Sequence, residues 1–485
     1  MVSEKAIDDK DLRTDIVVIG AGGAGLAATL AAAEKGAKVI LIEKHNAPGG
    51  RSVRAEGFFA ADSPAQERMG IDAPKDVLFK MAMDYAHWEI NPRIVRAFIN
   101  KSGDTVRWLE EKGLEIALVS PFYRNQVIRT WHQPKRGGAE VVEVLVRSCK
   151  RLGVRLIPQT AAKRILTDAM GEVTGVLVIA KGEEFKIAAK SVIIATGGYG
   201  GNKELLKKYC PFYTEEMGCA GSSHMGDGLL MAIEIGAATE GLGTLHISGP
   251  RFDGVGGHAG IVCQEPHTIW VNKMGERFTD ESTAFNHYES VNAILQQPGK
   301  VSYTLFDEQI KRSIIERGPI KIRQGIFYGV KKEDMADLAE QLQLQADKGK
   351  VKISDSWSEI ARWIGADPKV LKSTIDEYND SCEHGYDDMF VKDRRYLVPL
   401  RTPPYYAMRC RPGIIGTLGG IKINHHMEVL NCQDVPIHGL YAAGTDVGGW
   451  ESHTYNVRLS GSTFGFPLNS GRIAGENAAT YVLGK

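Results

Sequence analysis

Apolar residues along this chain change their spacing in a way that marks strands and helices before any chemistry is considered. Residues 15–20 (DIVVIG) form a continuous apolar run of strand length, rich in β-branched side chains, as a strand buried on both faces requires. A glycine-rich turn, a helix of small residues and a second apolar run, Ile40–Leu41–Ile42, follow it. Residues 92–113 carry apolar side chains at helical spacing and stop at Gly113, and 139–152 repeat that spacing. VRLIPQT (154–160) reads as a strand, and RILTD followed by GEVTGVLVIA as a hairpin across Met170–Gly171. SVIIATGGYGG (191–201) then brings back the run of strand into glycine.

From about 241 to 408 the pattern changes. Short strands (HTIWVN, SYTLFD) and helices (332–346 and 368–384) alternate with irregular stretches and show no βαβ rhythm. The C-terminal stretch GLYAAGTDVGG…LSGSTFGFPLNSGRIAGENAATYV returns to strand, glycine-rich turn and helix. The expected fold is α/β: a discontinuous Rossmann-like nucleotide-binding domain, 1–240 and 409–485, around an inserted α+β domain, 241–408.

Composition narrows the class. A chain of 485 residues is too long for one ordinary core. Lysine plus arginine equals aspartate plus glutamate at 59 each, which argues against nucleic acid as a partner. The seven cysteines are scattered, with no Cys-x-x-Cys, so zinc, iron–sulfur and c-type haem sites lack their local signature and no metal is expected. Reduced thiols in a cytoplasm are the plain expectation. The N-terminus MVSEKAIDDKDLRTD is polar, and no apolar run reaches the roughly 18 residues that a membrane span needs.

Gly20, Gly22 and Gly25 give G-x-G-x-x-G where the first helix opens, and Glu43 closes the second strand. The first glycine permits the tight turn, the second lets the backbone approach a pyrophosphate, and the third lets helix and strand pack closely. The helix N-terminus offers N–H groups and a positive dipole end to phosphates, and Glu43 can accept from a ribose hydroxyl.

Joined to ATGGYGGN (195–202), GDGLLMA (226–232), PPYYAM (403–408), GTLGGIKIN (416–424) and the C-terminal stretch, this opening resembles the fumarate reductase/succinate dehydrogenase flavoprotein family over nearly the whole chain. The likeness is greatest to its soluble fumarate-reductase-like and 3-ketosteroid-dehydrogenase-like branch. It implies FAD as the cofactor and a capping domain that closes over the flavin. Gly20, Gly22, Gly23, Ala24 and Gly25 would cradle the pyrophosphate, and Glu43 with Lys44 the adenosine ribose. Gly49, Gly50, Arg51 and Ser52 would pass the ribityl chain and the flavin N5 edge, with Gly57 after them. Ala162 would lie near the adenine, while Thr196, Gly197, Asp227 and Gly444 line the cofactor. Asp446 stands where the family has an acidic residue facing the ribityl chain. Ser460, Gly461 and Ser462 would present N–H groups to the pyrimidine edge, which gains negative charge on reduction. Family members with covalent flavin use a histidine in the loop after Gly-Gly; RSVRAEGFF has none, so non-covalent FAD is expected.

The resemblance also implies the chemistry: hydride moves between flavin N5 and a carbon, a polarising group pulls on a conjugated carbonyl or carboxylate, and a proton serves the neighbouring carbon. Arg458 matches the arginine that clamps a substrate carboxylate, His246 a substrate-touching histidine, and Glu265 the glutamate of a proton relay. Departures matter as much. The stretch before AILQQPGK, STAFNHYESVN (282–292), lacks the donor arginine of fumarate reductases; His287 falls at its place, with Tyr288 adjacent. The second relay arginine is Thr268, beside His267, and the histidine before T-x-G-G is Gly416. Fumarate is therefore not the expected substrate. GGWESHTYN (448–456) puts Trp450, His453 and Tyr455 just before Arg458, which suits a cyclic or aromatic substrate, and Tyr455 could polarise a ring ketone; Tyr123 could also reach the site.

The expected function is FAD-dependent reduction of an activated C=C, with electrons from a separate donor protein or NAD(P)H. The alternatives are a 3-ketosteroid-type or cyclic-ketone dehydrogenase, reductive dehydroxylation of a cyclic polyphenol-like compound, and an electron-relaying flavoprotein subunit.

Overall fold

Ile16–Ile19 forms the middle of a six-stranded sheet, because both its faces and both its edges are covered. Val39–Ile42 pairs with it in parallel on one side and Ser191–Ile194 on the other; Arg155–Ile157 and Pro436–Ala442 extend the sheet outward, also parallel. Glu428–Leu430 closes one edge antiparallel. The consequence for the site is geometric. Gly20, Glu43, Ala195–Thr196 and Ala443–Gly444 all follow the carboxyl ends of parallel strands, where open α/β sheets bind ligands. The structure, a computed structural model, describes residues 11–121, 127–219, 223–253, 258–320 and 331–484.

The chain divides into two compact units: Met1–Tyr213, Cys219–His246 and Ile415–Lys485 make one, and Thr214–Gly218 with Ile247–Ile414 the other. In the first unit, helix Gly23–Glu34 (GAGLAATLAAAE) is buried from Gly23 through Ala32, so its small side chains reflect contact on every side. It packs on the C-terminal helix Ser462–Leu483. A Cβ on Gly471 would stand 2.2 Å from Ala24 O, and one on Gly475 2.1 Å from Ala28 O. The two backbones therefore touch, and only glycine fits. Helices Pro92–Glu111 and Gly138–Arg151 follow their apolar spacing, and the hairpin Thr160–Thr167/Val173–Ala180 turns at Met170–Gly171.

The second unit is built on an antiparallel sheet in which Ser302–Asp307 pairs with Ile269–Val271 and Tyr405–Thr417. Val351–Ser354 lies on the far side of Tyr405–Thr417. Helices His287–Leu295, Glu308–Arg317, Trp357–Ile364 and Pro368–His384 belong to the same unit. The single helix expected over 332–346 is instead a 3-10 turn, Lys332–Met335, then helix Leu338–Asp347. The Asp334 carboxylate accepts from the Lys331 N–H and closes the first turn, which ends before the second helix begins. Among the described residues no helix is long and apolar enough to cross a membrane.

The helix contact yields a direct test. Gly475→Ala forces a methyl against a carbonyl and should destabilise the protein by about 1–3 kcal/mol, as overpacking does. Urea unfolding checks this; unchanged stability would show that the two helices can separate freely.

Candidate active site

The first unit assembles a cradle with the shape of an FAD site. Helix Gly23–Glu34 has no side-chain cap on its Gly22 N-cap, and a Cβ placed on Gly22 would meet nothing within 4 Å. That open space lies over the helix N-terminus, where a pyrophosphate would be held by N–H groups and the helix dipole. Gly20 adopts φ +99°, and a Cβ there would strike Ala195 O at 2.4 Å; one on Gly25 would strike Gly20 O at 1.8 Å. Ser52 Oγ accepts from the Gly23 N–H (3.0 Å), and Gly49 (φ +123°) donates its N–H to Ala21 O (2.7 Å), so the 49–52 loop is tied to the helix opening. Gly50 follows, Arg51 Nη1 is buried, and Gly57 is buried where a Cβ would meet His132 O at 2.5 Å.

Glu43 ends its strand nearly buried, accepting from the Ala21 N–H (2.8 Å) and the His45 N–H (2.9 Å). The carboxylate thus holds the glycine turn in place and keeps lone pairs for a ribose. Thr160 N–H donates to Glu43 O, which draws the strand carrying Ala162 alongside. Lys44 Nζ pairs with Asp227 (2.7 Å) and donates to Ser223 O (2.7 Å). Asp446 is fully buried and collects the Thr196 hydroxyl (2.8 Å) and the Gly197 and Gly198 N–H groups (2.7 and 3.0 Å). Burial raises its pKa against the pull of those donors. Gly444 lies against Ala24. His224 was not foreseen. It sits over Gly197, and burial, then Arg51 and Lys44, lower it to about 4, so it is a neutral ring at pH 7. Its position just before G-D-G is the only signal that the sequence carries for it.

Near Arg458 the structure revises several expectations. Ser460 is buried. The Gly461 N–H donates to Tyr455 Oη (2.9 Å) and the Ser462 N–H to Leu459 O (3.0 Å), so these two groups serve the turn rather than point outward. The cause is local, since Gly461 is the left-handed N-cap of the C-terminal helix. Tyr455 is accordingly not a ketone polariser: its hydroxyl belongs to that turn, and burial raises its pKa to about 12. Its ring stacks on His246 at 4.8 Å and 4° between planes. Trp450 does not line a substrate wall, because it stacks on Phe466 at 4.2 Å, is 3% exposed and donates its indole N–H to Val447 O. His453 is exposed and pairs with Glu89 (2.5 Å). Arg458 is exposed, and its N–H is held by Asn456 Oδ1 (2.9 Å). Tyr123 lies outside the described residues.

Within the second unit, Glu265 is buried and pairs through one oxygen with His267 Nδ1, while its other oxygen accepts from the Ile320 N–H (2.9 Å). Both side chains line a cavity of about 530 Å³ together with Gln309, Arg312, Ser313 and Arg317. His267 thus connects a buried carboxylate to an open space. His287 begins helix His287–Leu295 behind an Asn286 N-cap, half-buried with its Nδ1 enclosed. Tyr288 is 2% exposed, packed into the core. Of the two donor candidates, His287 alone keeps an open edge.

Comparison with known proteins agrees with this geometry. Residues 15–463 match the FAD-binding domain family. The chain is 32% identical to the vinyl phenol reductase of Lactiplantibacillus plantarum, covering 96% of this chain and 97% of that one. It is 33% identical to a probable fumarate reductase of Shewanella frigidimarina, covering 97% and 76%. The open conformation of a flavocytochrome c3 fumarate reductase superposes with a TM-score of 0.76 at 29% identity, covering 97% of this chain and 79% of that one. The chain belongs to the FAD-binding domain family and is an FAD-dependent oxidoreductase of the fumarate-reductase-like kind.

Proposed function

We propose that this chain reduces an activated C=C bond, conjugated to a carbonyl or carboxylate on a cyclic or aromatic molecule other than fumarate. The observation that carries the reading is the partner of Glu265: His267 pairs with its carboxylate, and Thr268 stands where the fumarate-reductase pattern has its relay arginine. FAD, when bound, supplies the hydride for one alkene carbon. Arg458, exposed and cationic, holds the conjugated oxygen and opposes the negative charge that develops on it. His287 gives the proton to the other carbon, the general-acid role that histidine fills most often. Glu265 and His267, at the wall of the cavity, return the proton from solvent. His246, braced by the Tyr455 ring, offers a flat, polar edge to a planar substrate.

The relative named for vinyl phenol supports an aromatic alkene as the substrate. The loop 51–59 contains no histidine, which supports non-covalent FAD. None of the seven cysteines forms a disulfide, which suits a reducing cytoplasm. Electrons come from a separate donor protein or NAD(P)H.

Anaerobic oxidation of reduced viologen in the presence of enones and aryl alkenes tests the reaction. Dye oxidation only with an added alkene is expected; dye reduction by a saturated ketone would overturn the direction. His287→Ala should lower turnover by roughly 10²–10⁴-fold with FAD still bound, the usual span for loss of a general acid. Unchanged turnover would remove His287 as donor. Arg458→Ala should raise KM as well as lower kcat, because the guanidinium holds the substrate in the ground state too.

A further inference from the structure

Buried ions are rare because desolvation disfavours them, yet the second unit encloses four in one network. Lys392 and Glu281 are fully buried, and Arg277 and Asp387 nearly so. The Arg277 guanidinium grips Glu281 with two bonds (2.8 and 2.9 Å) and Asp387 with a third (2.8 Å). Lys392 Nζ donates to Glu281 Oε2 (2.9 Å), Thr268 O (2.9 Å) and Tyr378 Oη (3.4 Å), which uses all three of its hydrogens. Two cations face two anions. Burial pulls the Lys392 pKa down despite Glu281; at Glu281 burial acts against the charge, but Lys392 and Arg277 outweigh it.

The network's reach is more informative than its charge. Thr268 closes the turn that carries Glu265 and His267: its N–H and hydroxyl both bond to Glu265 O (3.0 and 2.7 Å). Glu281 also accepts from the Trp270 N–H (3.1 Å), on the strand that follows that turn. It opens the 3-10 helix Glu281–Phe285, which runs directly into Asn286 and the helix beginning at His287. Tyr396 touches both sides, with ring centroids 5.5 Å from His267 and 5.7 Å from Phe285. Packed hydrophobic residues could fill this space with equal stability, but they would not fix the spacing of two turns through directed bonds.

We infer that Lys392 and Glu281 are positioning residues for proton delivery, fixing the turn of Glu265 and His267 relative to the helix that begins at His287. The inference rests on the proposed roles of those three residues. A misplacement of about 1 Å at a reacting group costs on the order of 10²-fold in rate, so the effect should appear in turnover rather than in binding.

The test uses the FAD-loaded enzyme with reduced viologen and an alkene that it turns over. Lys392→Met should lower kcat on the order of 10²-fold, with KM within about threefold and with FAD content and flavin reduction by viologen unchanged. In a His287→Ala background, Lys392→Met should cost nothing further, because its effect passes through the lost group. Should Lys392→Met fail to fold, the Glu281→Gln/Lys392→Met double variant removes one charge of each sign and is read identically. Turnover within about threefold of wild type, or a loss that multiplies fully with that of His287→Ala, would overturn the positioning role while leaving the donor assignment intact. A His287→Ala enzyme with normal turnover would overturn the donor assignment and the inference together.

Discussion

The helix that follows the opening strand and the helix that ends the chain lie with their backbones in contact, and the cofactor side of the protein depends on that contact. Gly471 meets Ala24 and Gly475 meets Ala28 at distances that exclude any side chain. Segments more than four hundred residues apart in the chain are thereby held together, with Gly444 set against Ala24 and Asp446 beside Thr196 and Gly197. The parallel sheet supplies the other half of the constraint by ending its strands at one edge, where Gly20, Glu43 and Thr196 emerge. Neither part alone would present an N-terminal helix dipole, a ribose acceptor and a buried aspartate around one ligand.

Much of this was legible in the sequence because the signals are local. The strand–turn–helix–strand of residues 15–44 needs only its own glycines and β-branched residues to be read, and the hairpin across Met170–Gly171 only its turn. The direction of side chains after a glycine-rich turn is a different matter. Trp450, Tyr455 and Arg458 are neighbours in sequence, yet Trp450 packs on Phe466, Tyr455 ties down Gly461, and Arg458 faces outward. The left-handed cap at Gly461 holds the Tyr455 hydroxyl, and no spacing rule reveals where its N–H will go. The Lys392 network was illegible for another reason: its members come from three separate stretches, at 268, 277–281 and 387–392, and meet only in the folded unit.

The pair on which the proposed proton delivery rests, Glu265 with His267, lies in the second unit. A histidine paired with a buried glutamate differs from an arginine, because its ring nitrogens can either donate or accept a hydrogen bond whereas a guanidinium only donates. The pair also borders a cavity of about 530 Å³. In the first unit, Arg458 is exposed and His246 stacks on the buried Tyr455 ring, the two features on which the proposed binding of a conjugated ring system that bears an oxygen rests.

Substrate choice tests this account most directly. The measurement is kcat/KM for fumarate against that for a series of aryl alkenes and cyclic enones, under identical reducing conditions with the FAD-loaded enzyme. Reduction of at least one conjugated cyclic or aromatic alkene, with fumarate turned over far more slowly, is the predicted result. Efficient reduction of fumarate, with the aromatic and cyclic alkenes left untouched, would contradict it.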